Sequence, residues 1–183
     1  MAIRAAQRGF SLLELMMVVL IIGVAAATVR LAVSNSDPLD QAQSTAETFI
    51  YWYSQQQDYV LMSHTDIGLY FMESSIATLT WREGDRAAGE ADIVWEVLDQ
   101  VNYSNDSENL TFELLLDIES NEWVAFESGI SDHETLSPHV ILFSSEEYEP
   151  SFLFRIGSTR YHDELIQIKA DGFNRLEANR VSL

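Results

Sequence analysis

The run from Phe10 to Val29, FSLLELMMVVLIIGVAAATV, constrains this chain more than any other feature. About 20 nearly all-apolar residues at ~1.5 Å rise each make a helix about 30 Å long, the thickness of a bilayer's hydrocarbon core. That is enough to cross a membrane once. Glu14 interrupts the run one turn inside it. A carboxylate near the bilayer centre costs roughly 2.5 to 3.5 kcal/mol on insertion scales, so Glu14 calls for a cationic partner.

Arg4 and Arg8 precede the run, and after Arg30 the chain turns acidic. Positive charge stays on the cytoplasmic side, which puts the first residues inside and the remainder outside, in the periplasm of a bacterium with two membranes. Cleavage between Gly9 and Phe10 would create an amine four residues before Glu14, at the positive end of the helix dipole. That amine, or the same amine on a neighbouring copy shifted along the axis, would neutralise Glu14 in apolar surroundings where charge pairing is strong. Pairing between copies would fix their register.

The stretch Arg8-Gly9-Phe10-Ser11-Leu12-Leu13-Glu14-Leu15 resembles the type III signal of prepilins and pseudopilins, the type IV pilin superfamily. The resemblance implies that a prepilin peptidase removes Met1 to Gly9 and that the amine of Phe10 is then N-methylated. It also implies that Glu14, the fifth residue of the mature chain, governs assembly and register. Two other readings stay open. Arg4 and Arg8 could form the basic region of an ordinary secretory signal, with Ala25-Ala26-Ala27 as its cleavage site, which would release a periplasmic soluble protein. Glu14 inside the apolar region and the Gly9–Phe10 junction speak against that; a plain signal-anchor helix is the other alternative.

Behind the apolar run, Asn35-Ser36-Asp37-Pro38 joins N-cap residues to a proline suited to the first helical position, so a helix can restart there after a bend. Leu39, Ala42, Ala46, Phe49, Ile50, Tyr53, Val60 and Leu61 follow at steps of mostly three and four, which predicts one apolar stripe packed on a sheet. Phe49, Tyr51, Trp52, Tyr53 and Tyr59 are read as packing residues and not as a ligand surface. After Ser63 the pattern changes to short β runs at 68–72, 76–81, 93–98, 110–118, 123–126, 140–143, 152–156, 165–168 and 175–181, with a turn at Asp171-Gly172. The expected class is α+β and pilin-like: a long N-terminal hydrophobic helix, half transmembrane and half amphipathic, packed on a mainly antiparallel β head, a β-sandwich. The expected divisions are a cleaved leader at 1–9, a transmembrane helix at 10–30, an amphipathic helix at 31–63 and a periplasmic head at 64–183.

The head carries a second resemblance. Val60-Leu61-Met62-Ser63 leading into Ile67-Gly68-Leu69-Tyr70-Phe71 is similar to the helix-to-strand passage of H-type minor pseudopilins of type II secretion. Phe143-Ser144-Ser145-Glu146-Glu147-Tyr148-Glu149-Pro150 before Phe152-Leu153-Phe154 is similar to that family's Ser-Gly-Glu turn and following strand. Glu146 and His64 stand where the family often has glycine. The resemblance implies a structural subunit at the tip or initiation complex of the type II secretion pseudopilus. Its partners would be other minor pseudopilins and the major pseudopilin, the prepilin peptidase and an inner-membrane assembly platform driven by a cytoplasmic ATPase. A minor pilin of a type IV pilus is the alternative, separable by genomic neighbourhood.

Composition narrows the rest. The chain has 183 residues, a net charge of -19 and no cysteine, so neither disulfides nor thiolate chemistry support it. Lys169 is the only lysine, and the few arginines are scattered, which argues against a nucleic-acid partner. His133, His139 and His162 lie near acidic residues, but no metalloprotease, hydrolase or EF-hand spacing is present. In Asp132-His133-Glu134 and His162-Asp163-Glu164, neighbouring side chains on an extended chain point to opposite faces and cannot converge on one ion. The segment Asn102–Glu108 offers oxygen ligands suited to Ca²⁺, yet a polar turn between strands accounts for it. No enzyme activity, metal or cofactor is expected.

Overall fold

The computed structural model describes residues 12–33, 37–85, 87, 91–103, 109–117, 122–130, 136–160 and 163–183. Two compact units result, one up to Asp37 and one from Pro38 to Leu183.

In the first unit, α1 spans Leu12–Val33. From Leu12 to Val24 every large apolar side chain is at least 47% exposed, and these residues occupy all faces of the helix. A helix with no polar face has no side to turn toward water, so it is stable only among lipid tails or other apolar helices. Among the described residues, no helix is long and apolar enough to cross a membrane. The helical backbone continues to Val33, however, through the rest of the apolar run.

The second unit opens with α2, Pro38–Ser63. Proline fits the first helical position because its missing N–H would be unpaired there in any case. Leu39, Ala42, Thr45, Ala46, Phe49, Tyr53 and Val60 are buried along one stripe, as their spacing predicts. The helix ends at His64, whose φ of 54° turns the chain into the left-handed region. Its N–H still reaches the Val60 carbonyl at 2.9 Å, a left-handed helix cap.

Among the described residues, ten strands follow in two five-stranded sheets. The first has the order β3-β2-β1-β6-β7, with β1 Ile67–Phe71, β2 Ser75–Glu83, β3 Ile93–Asn102, β6 Val140–Leu142 and β7 Tyr148–Glu149. The second has the order β10-β9-β8-β4-β5, with β4 Leu110–Leu116, β5 Glu122–Trp123, β8 Phe152–Ser158, β9 Glu164–Ala170 and β10 Glu177–Ser182. Every pairing is antiparallel. The sheets face each other through Phe71, whose ring centroid lies 5.9 Å from Phe152 and 5.5 Å from Phe154. Against this pair α2 sets Phe49, 5.0 Å from Phe154, and Tyr53, 5.9 Å from Tyr148. Both sheets and α2 thus share one core, and the expected α+β class with an antiparallel β head is what these residues adopt.

Two local expectations need correction. The strand expected over 123–126 is only Glu122–Trp123, because the chain leaves the second sheet there. The Val124 N–H still bonds the Leu114 carbonyl at 2.9 Å, but the Glu127 carbonyl already accepts from Glu73 at 3.0 Å, beside the first sheet. Within the expected turn 143–150, Tyr148 and Glu149 form β7, a two-residue strand on the edge of β6.

A smaller apolar cluster covers the outer face of the first sheet. Tyr70, Met72, Ala77 and Leu79 pack there with Trp95, Ile130 and Leu136. Gly68 allows the returning chain to approach: a Cβ at that position would lie 2.6 Å from the Pro138 Cβ. His139 then donates its backbone N–H to the Leu69 carbonyl at 2.9 Å.

Candidate functional site

The residues singled out in the sequence divide between the two units. Gly9 and Phe10, the expected cleavage and methylation positions, lie outside the described residues, as do Asn35 and Ser36. Glu14 lies in the first turn of α1 and is exposed between Leu13 and Leu15, themselves 74% and 61% exposed. An acid in the first turn of a helix is favoured by the helix dipole. In an apolar environment the same carboxylate supplies the one strong, directional contact that the flanking leucines cannot.

In the head, the aromatic run of α2 splits by helical phase. Phe49 and Tyr53 are buried, while Tyr51 and Tyr59 are exposed. Burial pushes the Tyr53 phenol well above its usual range, so Tyr53 is a neutral core residue. Packing therefore accounts for the inward half of this run.

Both residues that stand in place of an expected glycine adopt left-handed backbone: His64 at φ 54° and Glu146 at φ 73°. Glu146 sits in the turn between β6 and β7, where the Phe143 N–H bonds the Glu147 carbonyl at 2.9 Å. The Ser144 N–H bonds the Asp66 carboxylate at 2.9 Å, which ties this turn to the exit of α2. At the turn after β9, Gly172 has φ 100° and its carbonyl accepts the Tyr148 N–H at 3.1 Å. The Asp171 carboxylate accepts from the Asn174 side chain at 2.7 Å, the Asn174 N–H at 2.9 Å and the Phe173 N–H at 3.1 Å. These bonds, the Asn174 side chain first, hold its pKa far below the usual carboxylate range.

Of the three histidines near acidic residues, His133 and His162 lie outside the described residues. So do residues 104–108 of the segment weighed for Ca²⁺. His139 accepts the Phe71 N–H at Nδ1, 2.9 Å away, and stacks on Tyr70 with ring centroids 4.6 Å apart. The Tyr70 hydroxyl donates to Glu127 at 2.7 Å. Sequence spacing gave no hint of this Glu127–Tyr70–His139 group, because its members come from three separate segments. Among the described residues, no three His, Cys, Asp or Glu side chains are placed to hold a metal ion.

Comparison with known proteins follows the same division. Residues 4–29 match the family described as the prokaryotic N-terminal methylation motif. The chain is 27% identical over 184 residues to type II secretion system protein H of Aeromonas hydrophila, covering 94% of this chain and 93% of that protein. Among solved structures it is similar to GspH of Escherichia coli, with a TM-score of 0.53 and 15% identity over 77% of this chain and 89% of that one. It is also similar to the minor pseudopilin EpsH from the type II secretion system of Vibrio cholerae. There the TM-score is 0.56 and the identity 16%, over 80% of this chain and 99% of that one. The fold is therefore pilin-like, and the resemblance to protein H runs through helix and head alike.

Proposed function

We infer that this chain is an H-type minor pseudopilin, a structural subunit of the type II secretion pseudopilus that takes part in protein export across the outer membrane. The observation that carries this reading is the similarity to type II secretion system protein H along 94% of the chain. The apolar helix and acidic head fit the role: α1 packs among like helices in membrane or filament, and the head meets its neighbours outside.

In this reading the prepilin peptidase cuts between Gly9 and Phe10 and the Phe10 amine is methylated. The precursor sits in the inner membrane as a single pass with its head in the periplasm. Glu14 pairs with the Phe10 amine of an adjacent subunit and fixes register along the filament. The partners are the major pseudopilin, other minor pseudopilins and the assembly platform. The subunit works by polymerising, with no reaction of its own.

Glu14→Ala tests the mechanism in cells. The variant should insert and be processed to an N-methylated Phe10, seen by intact mass, yet fail to enter the pseudopilus and fail to support secretion. Normal assembly by the variant would defeat the role of Glu14. A mature chain beginning near Ala27 would overturn the pseudopilin reading itself, and complementation of pilus assembly instead of secretion would move the subunit to a type IV pilus.

A further inference from the structure

The ribbon β2–β3 carries a surface that the shared core does not use. Strand β3 lies at the edge of the first sheet and, among the described residues, pairs only with β2, so one side of its backbone is unpaired. Long edge strands of this kind are templates for another chain, and proteins usually blunt them with charges, bulges or prolines. In β3 the blunting is confined to one end. A bulge opposite Thr78/Leu79 places Leu98 between two pairing registers, and just beyond it the Asp99 carboxylate caps the Gln100 N–H at 2.8 Å. On the other side of the bulge, Ile93-Val94-Trp95-Glu96-Val97 contains one charge, and Glu96 is held by Arg82 across the ribbon at 2.5 Å.

The same five residues are apolar toward the outside. The register Trp81↔Trp95 and Leu79↔Val97 puts these four side chains on the outer face of the sheet, beside the Tyr70 cluster. Ile93 is 53%, Val97 44% and Trp81 42% exposed, a strip beside an unpaired backbone edge. Its described surroundings are acidic: Glu83, Asp85, Asp92, Glu96 and Asp99 stand there against Arg82. A second copy, with the same acidic strip and a net charge of -19, is a poor occupant. A strand that alternates apolar and basic residues fits both features. Its backbone continues the sheet, its apolar side chains extend the outer strip, and its Lys or Arg residues meet the acids.

We propose that the open edge of β3 at Ile93–Val97 takes up an extended, alternately apolar and basic segment of a partner polypeptide by strand addition. This surface lies on the head and is independent of the role assigned to Glu14.

The test uses the full chain in detergent micelles and a synthetic eight-residue peptide alternating valine and lysine. The control peptide has the same charge but prolines in place of two valines, so it cannot join a sheet. Hydrogen exchange should show new protection within Ile93–Val97 with the first peptide and none with the second. The double variant Ile93→Lys, Val97→Lys should weaken binding at least about tenfold, given like charge and lost apolar contact. Unchanged thermal unfolding of that variant would show an intact fold, and exchange on the unaltered chain decides the matter if it is not. Equal binding of the proline peptide, protection confined to other strands, or protection of β3 that grows with protein concentration alone would overturn the proposal. The first two point to charge attraction or another surface, the third to self-association.

Discussion

His139 accepts the backbone N–H of Phe71 at Nδ1, 2.9 Å away, so the imidazole in the folded head is neutral with its proton on Nε2. Burial lowers its pKa, and the nearby Glu127 carboxylate only partly offsets that effect. The folded-state pKa therefore lies below the unfolded value of about 6.5, and the unfolded chain binds more protons as pH falls through and below that value. The His139 contribution is fully present above about pH 6.5 and is lost as the medium acidifies toward the lower, folded-state pKa. Denaturant midpoints measured between about pH 7 and pH 5 should decline for the unaltered protein. His139→Asn keeps an oxygen acceptor for Phe71, and its decline should be shallower; parallel curves would place the proton uptake elsewhere.

The left-handed turns make a second prediction. His64 at φ 54° and Glu146 at φ 73° hold a conformation that costs a side-chain-bearing residue roughly 1–2 kcal/mol and glycine almost nothing. Glycine also makes the unfolded chain more flexible, which returns part of the gain. His64→Gly and Glu146→Gly should each stabilise the head by about 0.5–1 kcal/mol in chemical unfolding. Alanine at either position should give no such gain, which separates backbone relief from loss of the side chain.

Gly68→Ala should act in the opposite direction. The new Cβ would meet the Pro138 Cβ at 2.6 Å and Trp95 at 3.1 Å, so the returning segment has to move off the sheet. A cost of about 1–3 kcal/mol is expected for such overpacking. Hydrogen exchange at the His139 amide, which bonds the Leu69 carbonyl, should accelerate more than exchange in β8 and β9.

At the centre of the core, Phe154 lies 5.0 Å from Phe49, 5.4 Å from Tyr103, 5.5 Å from Phe71 and 6.0 Å from Phe112 by ring centroids. These partners belong to α2, both sheets and the segment after β3. Phe154→Ala should therefore cost about 3–5 kcal/mol and loosen α2 together with both sheets. Near-ultraviolet circular dichroism against urea would show whether those parts still melt as one.

Local pattern was enough to read α2 and most of the strands, because the helix buries one periodic stripe and the strands are short apolar runs bounded by turn residues. Leu39, Ala42, Ala46 and Phe49 mark one helical stripe, and Phe152, Phe154 and Ile156 mark one sheet face. What escaped lies where distant segments decide the outcome. Tyr148 and Glu149 become a strand only because Ile141 and Leu142 lie beside them, and nothing within 143–150 signals that. Val124 and Phe126 have strand-like side chains, but the need to reach the other sheet ends the strand at Trp123. The importance of His64 and Glu146 was visible as a departure from an expected glycine, though not the positive φ that explains it. For Glu14 the position is reversed: it was conspicuous in the sequence as a charge in an apolar run, and its proposed partner, the Phe10 amine, lies outside the described residues.

The strand order also governs what a partial chain can do. The middle strand of the second sheet is β8, and the first sheet needs β6 beside its middle strand β1, so both sheets depend on residues 140–158. A ribosome delivers that stretch last but one, after α1, α2 and five strands have already emerged. Until it arrives, β1 and β4 each lack a neighbour, and the nascent chain presents raw edges of the kind that invite aggregation. A truncation before Val140 would leave both sheets incomplete and no reduced version of the head, so the C-terminal quarter serves as the keystone for everything translated ahead of it.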